Sequence, residues 1–353
     1  MVVDRRYAVC HTNTFRFGAS KPLPYQVVAR DRPWSLLAGL LAAINPTSVF
    51  FVQEARPYAL VGLLDGLALL AIATYGRRST ERGIWLWPWL ALFVCSDVDT
   101  FMAHYTSLLF IAACFAAIGL DLVTRRPFPA RDALRWLCAG LVTTVVIMKP
   151  LALAMSLSGS TNIAWIKPLT LGTVRVFFMD LLTHPAIPYN TVTVSIGIIL
   201  LLILTFSLLH GRLDRTQFSV LVATPSVFII LLIGASASRP MLLVRVGVWL
   251  TIPLCVLLAR AVTRQATTWR RATIGVLLTA IFLFGLGHYR WVYRAEDWRA
   301  VARVVATEPR CSGPILFGYG SGLGQVYYEP ALINSPYMLS FSATRIERPP
   351  SFC

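Results

Sequence analysis

Between Trp34 and Arg290 the chain is a succession of nine apolar runs, each close to the roughly 20 residues a helix needs to cross the hydrocarbon core of a bilayer. They fall at 34–52, 57–75, 84–102, 104–124, 134–155, 190–209, 218–236, 244–262 and 272–290. Lipid offers backbone groups no hydrogen bonds, so runs of this kind must close their own, as helices do. A chain that is 56% apolar and 14% charged has too little polar surface for a water-soluble body of this size. Its net charge of +16 would suggest a nucleic-acid partner if the basic residues formed a patch. They lie between the runs instead, so the expected partner is the bilayer and not nucleic acid. The seven cysteines have neither paired nor metal-ligand spacing, and neither a disulfide scaffold nor a metal site is expected.

The connecting segments alternate in charge. Those at 76–83, 124–135, 210–217 and 260–271 hold 13 Lys and Arg; the opposite set, 53–56, 97–103, 156–189 and 237–243, holds 4. Basic loops stay in the cytoplasm, and residues 1–33 add six more on the side the first run leaves. The expectation is a multi-pass plasma-membrane protein with its N-terminus cytoplasmic and everything after residue 290 external. The first apolar run begins only at Trp34, so no secretory signal peptide is expected and the spans do the targeting. Three regions follow: a cytoplasmic segment 1–33, a transmembrane domain 34–290 and an external domain 291–353. In fold class this is an all-α polytopic membrane protein with a small external α/β C-terminal tail.

Two outer segments have structure of their own. Over 170–183, Val174, Phe177, Phe178 and Leu181 share one helical face, the stripe of an amphipathic helix that lies flat and roofs something. In the tail, Trp298, Val301, Ala302 and Val305 share another face behind Glu296 and Asp297, and Pro314-Ile315-Leu316-Phe317 reads as a strand. Cys311 and Cys353 are the only cysteines placed on the external side, where a disulfide would persist, although a terminal cysteine frays.

The polar residues at membrane depth are where chemistry is expected. The strongest stretch is 44–60, INPTSVFFVQEARPYAL. Pro46 lacks an N–H, so the chain is expected to unwind after Asn45, and irregular backbone at this depth should line a cavity. Glu54 and Arg56, two apart, point to one side of an extended stretch. The alternative is an interfacial charge pair heading the next helix.

This stretch resembles the GT-C class of polytopic glycosyltransferases, and within it the bacterial family similar to dolichyl-phosphate-mannose protein mannosyltransferases. That family's proline, hydrophobic stretch and Gln-Glu-x-Arg-x-Tyr are matched by Pro46, Gln53, Glu54, Arg56 and Tyr58. His104-Tyr105 resembles its His-Tyr at the outer end of a helix pair, and Trp165-Ile166-Lys167-Pro168 its outer-loop Trp-Ile-x-Pro. Arg245 ahead of Pro253 resembles its Arg-Tyr-containing element, with Val246 in place of the tyrosine, and Glu296-Asp297-Trp298-Arg299 resembles the start of its external tail. The family's first helix and the acidic pair of its first outer loop have no counterpart in residues 1–33. The expectation is a truncated copy, with a divergent, inactive member as the alternative.

The resemblance implies a transfer of sugar, mannose in the family's name, from a polyprenyl phosphate to a protein, glycan or lipid acceptor at the outer face of the cell envelope, without a cofactor. Such a transfer needs a carboxylate to take the acceptor proton and cations to hold the leaving phosphate. Glu54, Arg56, Tyr58, His104, Tyr105 and Arg245 are the expected substrate-binding residues. With the acidic pair missing, the catalytic residue is unassigned and Glu54 is a weak candidate. Arg56 and Arg245 suit a forked contact with phosphate oxygens. Snorkelling to head groups is the plainer role for Arg245 and for Lys149, and a hydrogen-bonded structural role the plainer one for His104.

Three further acids rank lower. Asp65, near the middle of its run, is expected to make an interhelical hydrogen bond. Asp97 and Asp99 read as solvated acids of an outer turn that stand in reserve for the missing pair. The tract GYGSGLG at 318–324 matches no phosphate-loop pattern and reads as a flexible turn. The rival class, a transporter or lipid flippase, would also put charges at broken helices, but it usually shows internal repeats and a midplane site.

Overall fold

The computed structural model describes residues 25–53, 57–79, 84–158, 166–183, 190–210 and 213–291, and the short strands at 315–317 and 338–340. The helices in chain order are α1 (Tyr25–Ile44), α2 (Pro46–Gln53), α3 (Tyr58–Arg78), α4 (Trp87–Ala103), α5 (Leu108–Thr124), α6 (Ala130–Ser158), α7 (Leu171–Thr183), α8 (Thr191–His210), α9 (Arg215–Phe218), α10 (Thr224–Ser238), α11 (Thr251–Thr263) and α12 (Thr268–Trp291). Strands β1 (Ile315–Phe317) and β2 (Met338–Ser340) pair in parallel. The extended reading of residues 314–317 coincides with β1; the tail helix, the cysteines at 311 and 353 and the glycine-rich tract lie outside the described residues.

This is a helical protein of the multi-pass membrane type. Among the described residues seven helical segments are long and apolar enough to span a bilayer: Tyr58–Arg78, Tyr105–Thr124, Ala130–Leu153, Thr191–Leu209, Arg215–Ser238, Val244–Thr263 and Thr268–Tyr289. The first of the nine expected runs is instead a bent pair, and the third, α4, has 17 residues behind a short 3-10 turn. α1 begins at Tyr25, ahead of its apolar run, because hydrophobicity marks the bilayer and not the helix end.

At Asn45 the expectation of an unwound segment is corrected. The break is a single residue, and the chain turns by 56° into α2. Pro46 cannot extend α1, yet it suits the first position of a new helix, where its missing N–H has no partner to lose. Asn45 caps that helix: its Oδ1 accepts the Ser48 N–H at 2.9 Å. Thr47 Oγ1 donates to the Asp180 carbonyl of α7 at 2.9 Å, and the Ser48 and Thr251 hydroxyls meet at 2.9 Å, so the bend is held from two sides.

Packing gives two cores. One joins α3, α4, α5, α6, α7 and α10 with the 3-10 segment Val244–Leu250, around Phe93, Phe110, Phe228 and Trp249. Phe110 and Phe228 meet the Trp249 indole edge-on at 4.7 and 5.0 Å. The other joins α1, α8, α11 and α12 around Leu41, Leu200, Leu258 and Phe282. The segment Val244–Thr263 lies between them and is 72% buried, against at most 44% for the other spanning segments. It is the axis, and its neighbours give one face to it and another to lipid.

The amphipathic reading of 170–183 is realised in α7, with Phe177 and Leu181 buried. It packs on α2, α8 and Val244–Leu250. Gly247 makes this approach possible, because a Cβ there would stand 3.1 Å from the Phe177 Cζ.

Candidate functional site

Helix polarity sorts the polar residues to two ends of the bundle. At the basic end, Asp132 accepts from the Tyr75 hydroxyl at 2.9 Å and from Arg135 at 3.1 Å, and Arg125 lies 3.8 Å away while also pairing with Asp121. Asp214 caps α9 in a reciprocal pair with Gln217, whose Oε1 takes an Arg260 N–H at 2.7 Å. A cavity of about 20 Å³ lined by Tyr75, Asp121, Arg125, Asp132 and Trp136 has room for a water. These groups tie α3, α5, α6, α9 and α11 together, and none was singled out in the sequence.

The other end carries the candidate site. Tyr58 opens α3 behind Pro57, and its ring meets Phe51 of α2 edge-on at 5.7 Å. His104 is the extended residue between α4 and the 3-10 turn Tyr105–Ser107; its N–H closes α4 on the Thr100 carbonyl, and its own carbonyl accepts the Ser107 N–H. Its ring is 5.6 Å from Tyr58 and lies nearly parallel to Tyr105 at 5.7 Å. Nδ1 is hydrogen-bonded to the Thr106 hydroxyl, which fixes the ring plane. Burial first, and then the nearby positive charge of Arg245, hold the imidazole below its ordinary pKa, so it is neutral at pH 7.

The structure therefore brings together Tyr58, His104, Tyr105 and Arg245 from three separate stretches. Glu54 and Arg56 lie outside the described residues, as do Trp165 and Glu296–Arg299. Lys149 is exposed on α6. An aromatic row missed in the sequence extends the site: Phe50 lies 4.9 Å from Phe51 and 5.6 Å from Tyr289 of α12. What hid it is that aromatics in an apolar run look the same whether they face lipid or a site.

Below this end the acids depart from expectation. Asp65 makes the anticipated interhelical bond, accepting from Thr100 Oγ1 of α4 at 2.9 Å. Asp97 is a correction: it is no turn residue but sits inside α4, 0% exposed. Asp99, on the opposite face of α4, is exposed. Helical continuation up to His104 accounts for this, since α4 runs on to Ala103.

Chemically, the His104 end offers a fixed cation, a neutral imidazole able to accept or donate one hydrogen bond, and aromatic faces. That is a set suited to an anionic, partly apolar ligand. Among the described residues no three His, Cys, Asp or Glu side chains converge as metal ligands. No protein-family model, curated protein or solved structure matches the chain.

Proposed function

We propose that the chain is a membrane glycosyltransferase that binds a polyprenyl-phosphate sugar, mannose in the family it resembles, at the His104 end and passes the sugar to an acceptor at the outer face. The observation that carries this reading is the meeting of Tyr58, His104, Tyr105 and Arg245, which the resemblance named independently of any geometry. Arg245 holds the phosphate, with Arg56 as a second cation. His104 stays neutral and orients a sugar or acceptor hydroxyl, and the aromatic row from Tyr289 to Tyr58 bears on the sugar ring or the first isoprene units.

The test begins with binding, because residues 1–33 hold no counterpart of the family's catalytic acids. The full chain in lipid nanodiscs is titrated with a fluorescent polyprenyl phosphate. Saturable binding that weakens in Arg245→Ala is the expected result; binding indifferent to Arg245 removes the reading. Sugar transfer to a peptide or lipid acceptor is then assayed with the polyprenyl-phosphate mannose donor. The buried acids beneath the site favour a second reading, a transporter or flippase. Movement of the labelled lipid across vesicles with no covalent change would establish it.

A further inference from the structure

Asp65 and Asp97 lie two helical turns inside the bundle from Tyr58 and His104 respectively, about 10 Å below that end. Asp65 is 1% exposed and Asp97 0%. Thr100 Oγ1 donates to Asp65 Oδ1, but Asp65 Oδ2 and both oxygens of Asp97 have no hydrogen-bond partner among the described residues. The two carboxyl groups are within electrostatic range of each other and of the Cys114 thiol from α5, and these are the titratable groups that bear on them. Arg245 and His104 lie above, and the ion pairs of Asp121, Arg125, Asp132 and Arg135 belong to the basic end.

Two carboxylates buried this deeply, with three bare oxygens and no ion pair among the described residues, are among the costliest arrangements a protein interior can hold, so a group in this position is neutralised instead. A proton supplies what is missing. Bound to either of these carboxyl groups it removes one charge and turns a bare acceptor oxygen into a hydroxyl. Thr100 Oγ1 also lies 3.5 Å from Ser107 Oγ, and the Ser107 N–H is bonded to the His104 carbonyl, so hydroxyl groups lead from the acids toward the His104 end.

We propose that the buried carboxyl groups of Asp65 and Asp97 form a proton-binding site inside the bundle, at least one of them protonated at neutral pH, which exchanges its proton with the His104 end through the hydroxyls of Thr100 and Ser107. The site does not depend on which reaction occupies that end. The test is infrared spectroscopy of the full chain in lipid nanodiscs. At neutral pH the wild type shows the C=O band of a protonated carboxyl that shifts in heavy water, and the band is lost in the double variant Asp65→Asn/Asp97→Asn. If the double variant does not fold, either single substitution serves, because removing one of the two acids abolishes or shifts the band. Thr100→Val slows deuterium exchange of the band. A wild-type spectrum without the band, or the same band in the double variant, overturns the site. Stabilisation by sodium over choline that disappears in the double variant also overturns it, in favour of a metal cation. An unchanged exchange rate in Thr100→Val overturns the hydroxyl path.

Discussion

The imidazole of His104 and the phenol ring of Tyr58, from opposite ends of α4 and α3, sit with centroids 5.6 Å apart and planes inclined by 48°. The pairing sets the cross-section of the candidate site, because each ring is also fixed from its other side, His104 by Thr106 and Tyr58 by Phe51. The charge of Arg245 bears on His104. Removing it removes one of the two causes that lower the His104 pKa, so Arg245→Ala moves the imidazole titration to higher pH, measurable by NMR of histidine-labelled protein. A titration that stays in place would remove Arg245 from the site.

Binding follows from the same charge. If Arg245 and Arg56 each give a phosphate a charge-assisted hydrogen bond, each Ala substitution weakens polyprenyl-phosphate binding by about 1.5–3 kcal/mol. Lys keeps the charge and loses the fork, so its loss is smaller. Equal affinity in wild type and Arg56→Ala would leave that residue a structural role at the start of α3.

The Thr100–Asp65 bond joins α3 to α4 in the buried interior. Thr100→Val keeps the shape and removes the donor; the expected loss is about 0.5–2 kcal/mol, as for other hydrogen bonds between helices in membranes. Thr100→Ser restores the hydroxyl and most of the stability. A thermal midpoint unchanged by Thr100→Val would mean that the bond carries no net stability.

At the basic end Asp132 accepts from Tyr75 and Arg135 and faces Arg125. Asp132→Ala strands the buried Tyr75 hydroxyl and takes one partner from Arg135 and Arg125. It should cost more than Arg135→Ala, whose side chain is exposed enough for water to replace its partner. Chemical unfolding of the two variants in mild detergent ranks them; the reverse order would show that Asp132 is not the hub.

The apolar runs were enough to read a helical protein of several membrane spans, because bilayer thickness imposes helix length, but not their number: seven segments among the described residues, and a bent pair, stand where nine runs were expected. Asn45-Pro46 was visible as a break but not as a bend, since the outcome depends on Asp180 and Thr251, far along the chain, accepting its hydroxyl partners. Tyr58, His104, Tyr105 and Arg245 were legible by resemblance. Asp97 was misplaced because a stretch as polar as Ser96-Asp97-Val98-Asp99 looks like a turn, and only packing against α3 shows that one of its acids points inward.

Orientation is the remaining expectation on which the outer-face reading depends. Tyr75, Asp132, Gln217 and Arg260 share one end of the bundle, while Tyr58, His104 and Arg245 share the other. The first end is joined by the 13-residue basic set of loops and the second by the 4-residue set, so retention of Lys and Arg in the cytoplasm turns the His104 end outward. Two labels check this at once. A reporter active only in the cytosol, fused after Cys353, stays silent, and a membrane-impermeant thiol reagent applied to intact cells labels Asp99→Cys but not Ser79→Cys. An active fusion together with Ser79→Cys labelling would put His104 and Arg245 on the cytoplasmic face. Transfer would then have to use a donor presented there, and the outer-face acceptor would fall with it.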